Sequence, residues 1–160
     1  MSKVLYIILI SFFSLTVISC AKKSDTSSST SSTTTDNTTT TSSGLFVAVG
    51  AEGTLLTSSD GANWTAQTSG TSNNLRAVAY GNSTLVVVGF SGTILTSSDG
   101  TTWTSKTSGT SEDLWGVTYG NSIWVTTGDN ETILTSSDAT TWTSRTSGTS
   151  ETFRRVFYKE

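Results

Sequence analysis

The sequence predicts an all-β fold in which a four-stranded antiparallel unit occurs three times. From Gly44 onward the chain repeats itself with a period of 39 residues, and residues 54–92 match residues 93–131 at 22 of 39 positions. Within each period, short runs of β-branched and aromatic residues alternate with turn signals, and no stretch has helical spacing. A fixed period near 40 residues indicates stacked or radial units that bury their apolar faces only against one another.

Residues 1–19 are predicted to be an export signal. Lys3 precedes an apolar run, Val4 to Ser19, which contains only small Ser and Thr as polar residues and ends at Cys20, the only cysteine. The run is short for a membrane span, which needs about 20 apolar residues. Residues 17–20, VISC, resemble the bacterial lipobox, and this resemblance implies a lipidated Cys20 at the start of the mature protein. A signal peptide that merely contains a cysteine and an uncleaved anchor are the alternatives.

The residue after Cys20 is Ala21 rather than aspartate, and the resemblance to lipoproteins then implies the outer membrane or surface of a bacterial cell envelope. Residues 20–43 are predicted to form a disordered Ser/Thr-rich linker, because they contain no large apolar residue with which to offset the entropy of an ordered chain. The lipid would hold the protein on the membrane, and the linker would hold the domain at residues 44–160 away from it.

Four strands are predicted in order along each period. In the central period, LRAVAY (75–80) is followed by the turn signal Gly-Asn and then by TLVVVG (84–89). A glycine-bearing loop leads to TILTSS (93–98), and an Asp-Gly turn leads to WTSKTS (103–108). Short connections between successive strands predict an antiparallel meander.

The connection between the third and fourth strands has nearly the same sequence in each period: TSSDGANW (57–64), TSSDGTTW (96–103) and TSSDATTW (135–142). The aspartates are predicted to accept N–H groups of their own turn, and the tryptophan rings to pack against the sheet. These structural residues are Asp60, Trp64, Asp99, Trp103, Asp138 and Trp142.

This stretch resembles the Asp-box, or BNR-like, repeat of sialidase-type and photosystem-assembly-factor-like β-propellers. The resemblance covers residues 44–160 and implies three propeller blades. The chain departs from the family pattern in having one residue fewer between aspartate and glycine, and Ala139 in place of glycine in the third copy.

The two ends of the repeated region are predicted to complete each other. Residues 44–47 align with the second strand of a blade, and residues 153–158 align with a first strand. Pairing them would close a ring in the manner of a propeller "velcro" seam and remove exposed edges. Three blades are fewer than propellers usually have, so three arrangements stay open: a six-bladed ring formed by a homodimer, a compact three-bladed ring, and a fragment of a longer array.

Composition argues against several functions. Without Lys3, eight basic residues face twelve acidic ones, a formal charge of −4 that does not suit nucleic-acid binding. The chain lacks histidine, the usual general base and the commonest zinc ligand, so no cofactor, metal or catalytic activity is predicted. A glycosidase remains an alternative that would use loop carboxylates. These are Glu112, Asp113, Asp129, Glu131 and Glu151.

Positions that vary between otherwise similar copies are the best candidates for ligand binding. The second residue of the first strand reads Arg76, Trp115 and Arg154, and Arg and Trp dominate recognition surfaces. The alternative is that these side chains only fill a narrow channel. We therefore expect a surface-anchored, non-catalytic binding module for a protein or glycan, with a carbohydrate hydrolase or an assembly factor for a membrane complex as alternatives.

Overall fold

The computed structural model describes residues 44–160, and within this range the predicted all-β class is confirmed. Eleven strands form three antiparallel sheets, and the helical structure in this range is limited to a short 3-10 turn, Ala51–Gly53. None of the described residues belongs to a helix long and apolar enough to cross a membrane. The export signal, the lipidation of Cys20 and the linker all lie outside the described residues.

Each sheet is a meander of consecutive strands. Sheet 1 contains β1 (Phe46–Val49), β2 (Leu55–Ser58) and β3 (Thr65–Ala66). Sheet 2 contains β4 (Leu75–Gly81), β5 (Thr84–Gly89), β6 (Ile94–Ser97) and β7 (Thr104–Lys106). Sheet 3 contains β8 (Leu114–Gly120), β9 (Ile123–Gly128), β10 (Ile133–Ser136) and β11 (Thr143–Arg145). The register of sheet 2 recurs in sheet 3 at positions 39 residues later, as in Tyr80↔Leu85 and Tyr119↔Trp124.

Two-residue turns join the first two strands of sheets 2 and 3. The turn residues are Asn82-Ser83 and Asn121-Ser122, all with positive φ, as a turn matched to the twist of a hairpin requires. The glycines that precede them end their strands and have a different role. The ring of Tyr119 lies on Gly81, and an added Cβ there would overlap it. Gly81 therefore allows the close contact through which Tyr119 of sheet 3 packs on sheet 2.

Sheet 2 is buried on both of its faces. Val87 and Leu95 belong to an apolar cluster with Leu55 of sheet 1, whereas Val86 and Val88 belong to a second cluster shared with sheet 3. This arrangement explains why β5 is almost continuously apolar, since alternation is expected only where one face meets water. Trp124 of β9 is only 1% exposed and packs in the second cluster, which confirms its predicted place in the core.

The predicted pairing of residues 153–158 with the start of the domain is not formed. These residues adopt no strand, and β2 is the only described strand hydrogen-bonded to β1, so the described chain forms no closed propeller. The segment instead lies beside β8: the Phe153 N–H donates to the Gly128 carbonyl at 3.0 Å, and the Tyr158 ring lies on Gly120. The segment is thus positioned like another edge strand, but no strand within residues 44–160 pairs with it in a ladder.

Candidate ligand-binding site at the edge strands

Two of the variable positions lie at irregularities in the sheets. In β4, the register shifts between Leu75 and Ala77, so that Arg76 is an extra residue with no partner on β5. Trp115 has the same place in β8, between Leu114 and Gly116. Such β-bulges re-aim a side chain away from the regular alternation and are frequent beside functional sites. The bulges therefore turn both side chains in a direction that a regular strand would not give them.

These side chains meet in one cluster, together with a residue that the sequence did not indicate. The Arg76 guanidinium carbon lies 4.2 Å from the centroid of the Phe90 ring and 4.9 Å from that of Trp115. The Arg154 guanidinium lies 5.1 Å from the Trp115 ring, and the two aromatic rings meet edge to face at 5.3 Å. All three predicted residues are thus brought together. We call Arg76, Phe90, Trp115 and Arg154 the arginine–aromatic cluster.

A carboxylate fixes the central ring of the arginine–aromatic cluster. The Trp115 indole N–H donates to Asp129 Oδ1 at 2.9 Å, and Asp129 itself follows β9 in a short loop anchored by its backbone N–H to the Asp113 carbonyl. The guanidinium contacts are cation–π interactions, worth about 0.5–1 kcal/mol each at exposed positions. The Trp115 ring is therefore held in one orientation by contacts within the chain.

The arginine–aromatic cluster borders a cavity of about 670 Å³. Its walls come from β4, from β8 and from the segment beside it. The lining residues are Arg76, Ala77, Trp115, Gly116, Val117, Arg154, Arg155, Val156 and Phe157. Three arginines line this space and no acidic residue does, in a chain whose net charge is negative. The cavity therefore combines hydrogen-bond donors and positive charge with apolar walls.

The predicted structural aspartates lie elsewhere, at the turns between the third and fourth strands of the sheets. Asp99 Oδ1 accepts the backbone N–H groups of Thr101 and Thr102, both at 2.8 Å, and the Ser97 hydroxyl at 2.9 Å. Asp60 and Asp138 accept the equivalent bonds of their own turns. We call these three loops the aspartate turns.

Hydrogen bonding stabilises the charged form of each of these carboxylates. The N–H groups of Thr102 and Thr101 hold the pKa of Asp99 well below its usual range. The N–H groups of Thr141 and Thr140 lower the pKa of Asp138 to about 2. The backbone N–H and the side-chain amide of Asn63 hold the pKa of Asp60 well below its usual range. The shifts thus follow from local turn geometry.

The third aspartate turn differs from the other two at its tryptophan. The indole N–H groups of Trp64 and Trp103 donate to the carbonyls of Gly61 and Gly100, at 3.2 and 3.1 Å. Within residues 44–160 the buried Trp142 indole nitrogen has no hydrogen-bond partner, and the residue at the glycine position of its turn is Ala139.

Two of the five loop carboxylates considered for catalysis accept hydrogen bonds from other loops, and the backbones of two more residues of this set are bonded to each other. Asp113 Oδ1 accepts the backbone N–H of Ser91 at 2.8 Å, and Glu112 Oε2 accepts the Asn130 amide at 2.7 Å. The Glu131 backbone N–H donates to the Glu151 carbonyl at 3.1 Å. The first contact links a loop of sheet 2 to the loop before sheet 3, and the other two link the β9–β10 loop of sheet 3 to the loops before and after that sheet.

A second cleft, of about 600 Å³, is lined by glycines and by the hydroxyl groups of Ser and Thr, with Lys106 as its charged residue. It contains no aromatic ring, so it offers less apolar area to a ligand than the cavity at the arginine–aromatic cluster. Among residues 44–160, no group of three or more acidic, cysteine or histidine side chains is placed to hold a metal ion. Comparison of the chain with known protein families, curated proteins and solved structures gives no match.

Proposed function

We propose that this chain is a non-catalytic binding module carried on the bacterial cell envelope by a lipid at Cys20, with the arginine–aromatic cluster as its ligand site. The three sheets are the blades of an Asp-box type propeller in this proposal. The observation that carries it is the convergence of Arg76, Trp115 and Arg154 on one cavity. If these side chains only filled a channel, we would not expect the Trp115 indole to be fixed by Asp129 beside an open cavity.

The chemistry of the cavity favours an acidic glycan as ligand. Guanidinium groups donate hydrogen bonds and pair with carboxylate or sulfate, often through two bonds at once. The neighbouring apolar side chains, among them Phe157 and Val156, suit the apolar face of a sugar ring. A cavity of about 670 Å³ is within the usual range for small-ligand sites.

The test is a glycan binding screen with the full chain, in which acidic glycans are paired with neutral ones of the same backbone. We expect binding to the acidic member of a pair, weakened by salt because the charges are partly exposed. Trp115→Ala and Arg154→Ala should each weaken binding at least tenfold, as for central residues of binding sites. Arg145→Ala is the matched control, because Arg145 is an exposed arginine on β11 outside the cavity.

Identical binding by the wild type and by Trp115→Ala would refute this site. Turnover of a glycan that depends on Glu112 or Asp113 would favour the hydrolase alternative instead. A membrane protein that co-purifies with the wild type but not with Trp115→Ala would favour the assembly-factor alternative.

The anchor is tested separately from the ligand site. If Cys20 is lipidated, the wild-type chain should be found in the membrane fraction of expressing bacteria and should incorporate a labelled fatty acid. Cys20→Ser should incorporate none. Equal labelling of both chains would refute the anchor and leave the ligand site untouched.

A further inference from the structure

The strand order leaves one edge of sheet 1 without a partner. Sheets 2 and 3 each begin with a seven-residue edge strand, β4 or β8, that pairs with the strand after it. Sheet 1 has no such strand, so the outer edge of β1 is unpaired within the described chain. An unpaired edge presents a row of N–H and C=O groups that can template pairing with another chain.

The sequence before β1 does not resemble the missing strand. At the spacing of 39, the residues that correspond to β4 are residues 36–42, which read DNTTTTS. The edge strands in sheets 2 and 3 read LRAVAYG and LWGVTYG and contribute the buried Leu75 and Leu114. A segment with no apolar side chain cannot bury the corresponding surface.

One segment of this chain has the required sequence but has no strand pairing. Residues 153–158 read FRRVFY, which corresponds position by position to the edge strands. They lie beside β8 yet form no strand. Phe157 is 81% exposed, and Phe46 of β1 is 55% exposed. Two incomplete edges with matching sequence patterns therefore occur in the same chain.

We infer that two copies of this chain pair reciprocally, with residues 153–158 of each copy added to β1 of the other. The register follows from sheet 2, where Tyr80 pairs with Leu85 and Val78 with Val87. At equivalent positions, Tyr158 of one copy lies opposite Phe46 of the second copy, and Val156 opposite Ala48. A two-fold axis makes the two pairings identical.

This pairing also completes the wall of the cavity. Arg154, Arg155, Val156 and Phe157 line it, and all four belong to the segment that forms no strand. Addition to β1 of a second copy would fix this wall through backbone hydrogen bonds. The inference rests on the unpaired edges rather than on the identity of any ligand, so it holds or fails independently of the proposed function.

A designed disulfide tests the register. Tyr158 and Phe46 correspond to the pair Tyr80↔Leu85 of sheet 2, which lies next to the hairpin-closing pair Gly81↔Thr84. Tyr80↔Leu85 is a non-hydrogen-bonded pair, in which Cα atoms are about 4.5 Å apart. That separation suits a disulfide. In the full chain with Cys20→Ser, purified in mild detergent, the double variant Phe46→Cys/Tyr158→Cys should form covalent dimers under oxidation. Phe46→Cys/Phe157→Cys is the control, because adjacent strand residues point to opposite faces.

The linked peptides decide the outcome. A reducible dimer that joins position 46 to position 158, absent from the control, supports the inference. A folded monomer with an internal link between the same positions would overturn it, because the ring would then close within one chain. A folded protein with no link at all would also overturn it.

Proline in β1 gives an independent test without new thiols. In an antiparallel ladder alternate N–H groups face each neighbour, and the sheet 2 register assigns the N–H of Val47 to the open edge of β1. Val47→Pro should therefore preserve the pairing with β2 but halve the mass measured by light scattering, relative to Cys20→Ser alone. A folded variant that stays dimeric, or a parent chain that is monomeric, contradicts reciprocal pairing through β1.

Discussion

Sheets 2 and 3 have the same register and nearly the same strands, yet they differ in how completely their buried polar atoms are bonded. The buried side-chain atoms without a hydrogen-bond partner in the described chain are Thr127 Oγ1 and Trp142 Nε1. Thr127 is on β9 of sheet 3, and Trp142 lies in the aspartate turn just before β11 of the same sheet. The equivalent residues of sheet 2 are Val88, which has no polar atom, and Trp103, whose indole is bonded. Small departures between similar sequence copies therefore have local energetic consequences.

The largest expected effect comes from the tryptophans of the aspartate turns. Trp103→Ala should lower the free energy of unfolding by about 3 kcal/mol, because it removes a half-buried ring and a hydrogen bond to Gly100. Trp142→Ala should cost about 1 kcal/mol less, because its indole N–H is already unpaired. Denaturant unfolding of both variants measures the difference, and a larger loss for Trp142→Ala would contradict the comparison.

A smaller effect is expected at the glycines of the first two aspartate turns. Gly100 has φ of 74° and an added Cβ would overlap the Leu45 side chain. Gly61 has nearly the same φ, 73°, but its nearest neighbour would be Phe46 at an ordinary 3.7 Å. We expect Gly100→Ala to cost about 2 kcal/mol and Gly61→Ala about 1 kcal/mol, since both incur the left-handed backbone penalty. Equal losses would mean that Leu45 moves aside freely.

Two adjacent threonines on β9, Thr126 and Thr127, test whether the unbonded hydroxyl of Thr127 lowers the free energy of unfolding. Thr127→Val should raise the free energy of unfolding by about 1 kcal/mol, because it replaces a buried, unpaired hydroxyl with the residue type that sheet 2 has at Val88. Thr126→Val is the matched control and should be destabilising by about 1 kcal/mol, because the Thr126 hydroxyl donates to the Gly116 carbonyl at 2.8 Å. Thermal unfolding of the two variants should shift in opposite directions, and a shared direction would contradict this account.

The regular parts of this fold could be predicted from sequence because each depends on residues close together in the chain. The strand LRAVAY is apolar where β4 is buried, and the Ser-x-Asp spacing determines which N–H groups the carboxylate can reach. The site was predicted in part, since Arg76, Trp115 and Arg154 stood out as variable positions, but Phe90 was missed. Nothing in an alternating pattern marks the extra residue of a β-bulge, and the contact between Phe90 and Trp115 depends on how two sheets pack.

Local sequence patterns could name residues 153–158 as a partner for β1, but not whether the pairing is made within one chain or between two. The sequence shows that FRRVFY has the pattern of an edge strand, but strand pairing between distant segments depends on whether three sheets can curve into a ring. In the described chain β1 and residues 153–158 are not hydrogen-bonded to each other, so no three-bladed ring is closed, and the homodimer and the fragment of a longer array stay open.

The smallest expected effect is the response of the aspartate turns to acid. Because folding lowers the pKa of Asp99 and Asp138, their contribution to stability is fully present above the unfolded pKa near 3.8 and is lost as pH falls through the folded value. The pKa of Asp138 is about 2, and that of Asp99 is lower still. Asp138→Asn should therefore lower the melting temperature at pH 6, with a deficit that shrinks from pH 4 and is nearly gone at pH 2. The deficit of Asp99→Asn should be larger at pH 2, since its carboxylate is still charged there. Melting curves between pH 6 and pH 2 measure both, and deficits that do not change with pH would mean that the charge of these carboxylates does not stabilise the turns.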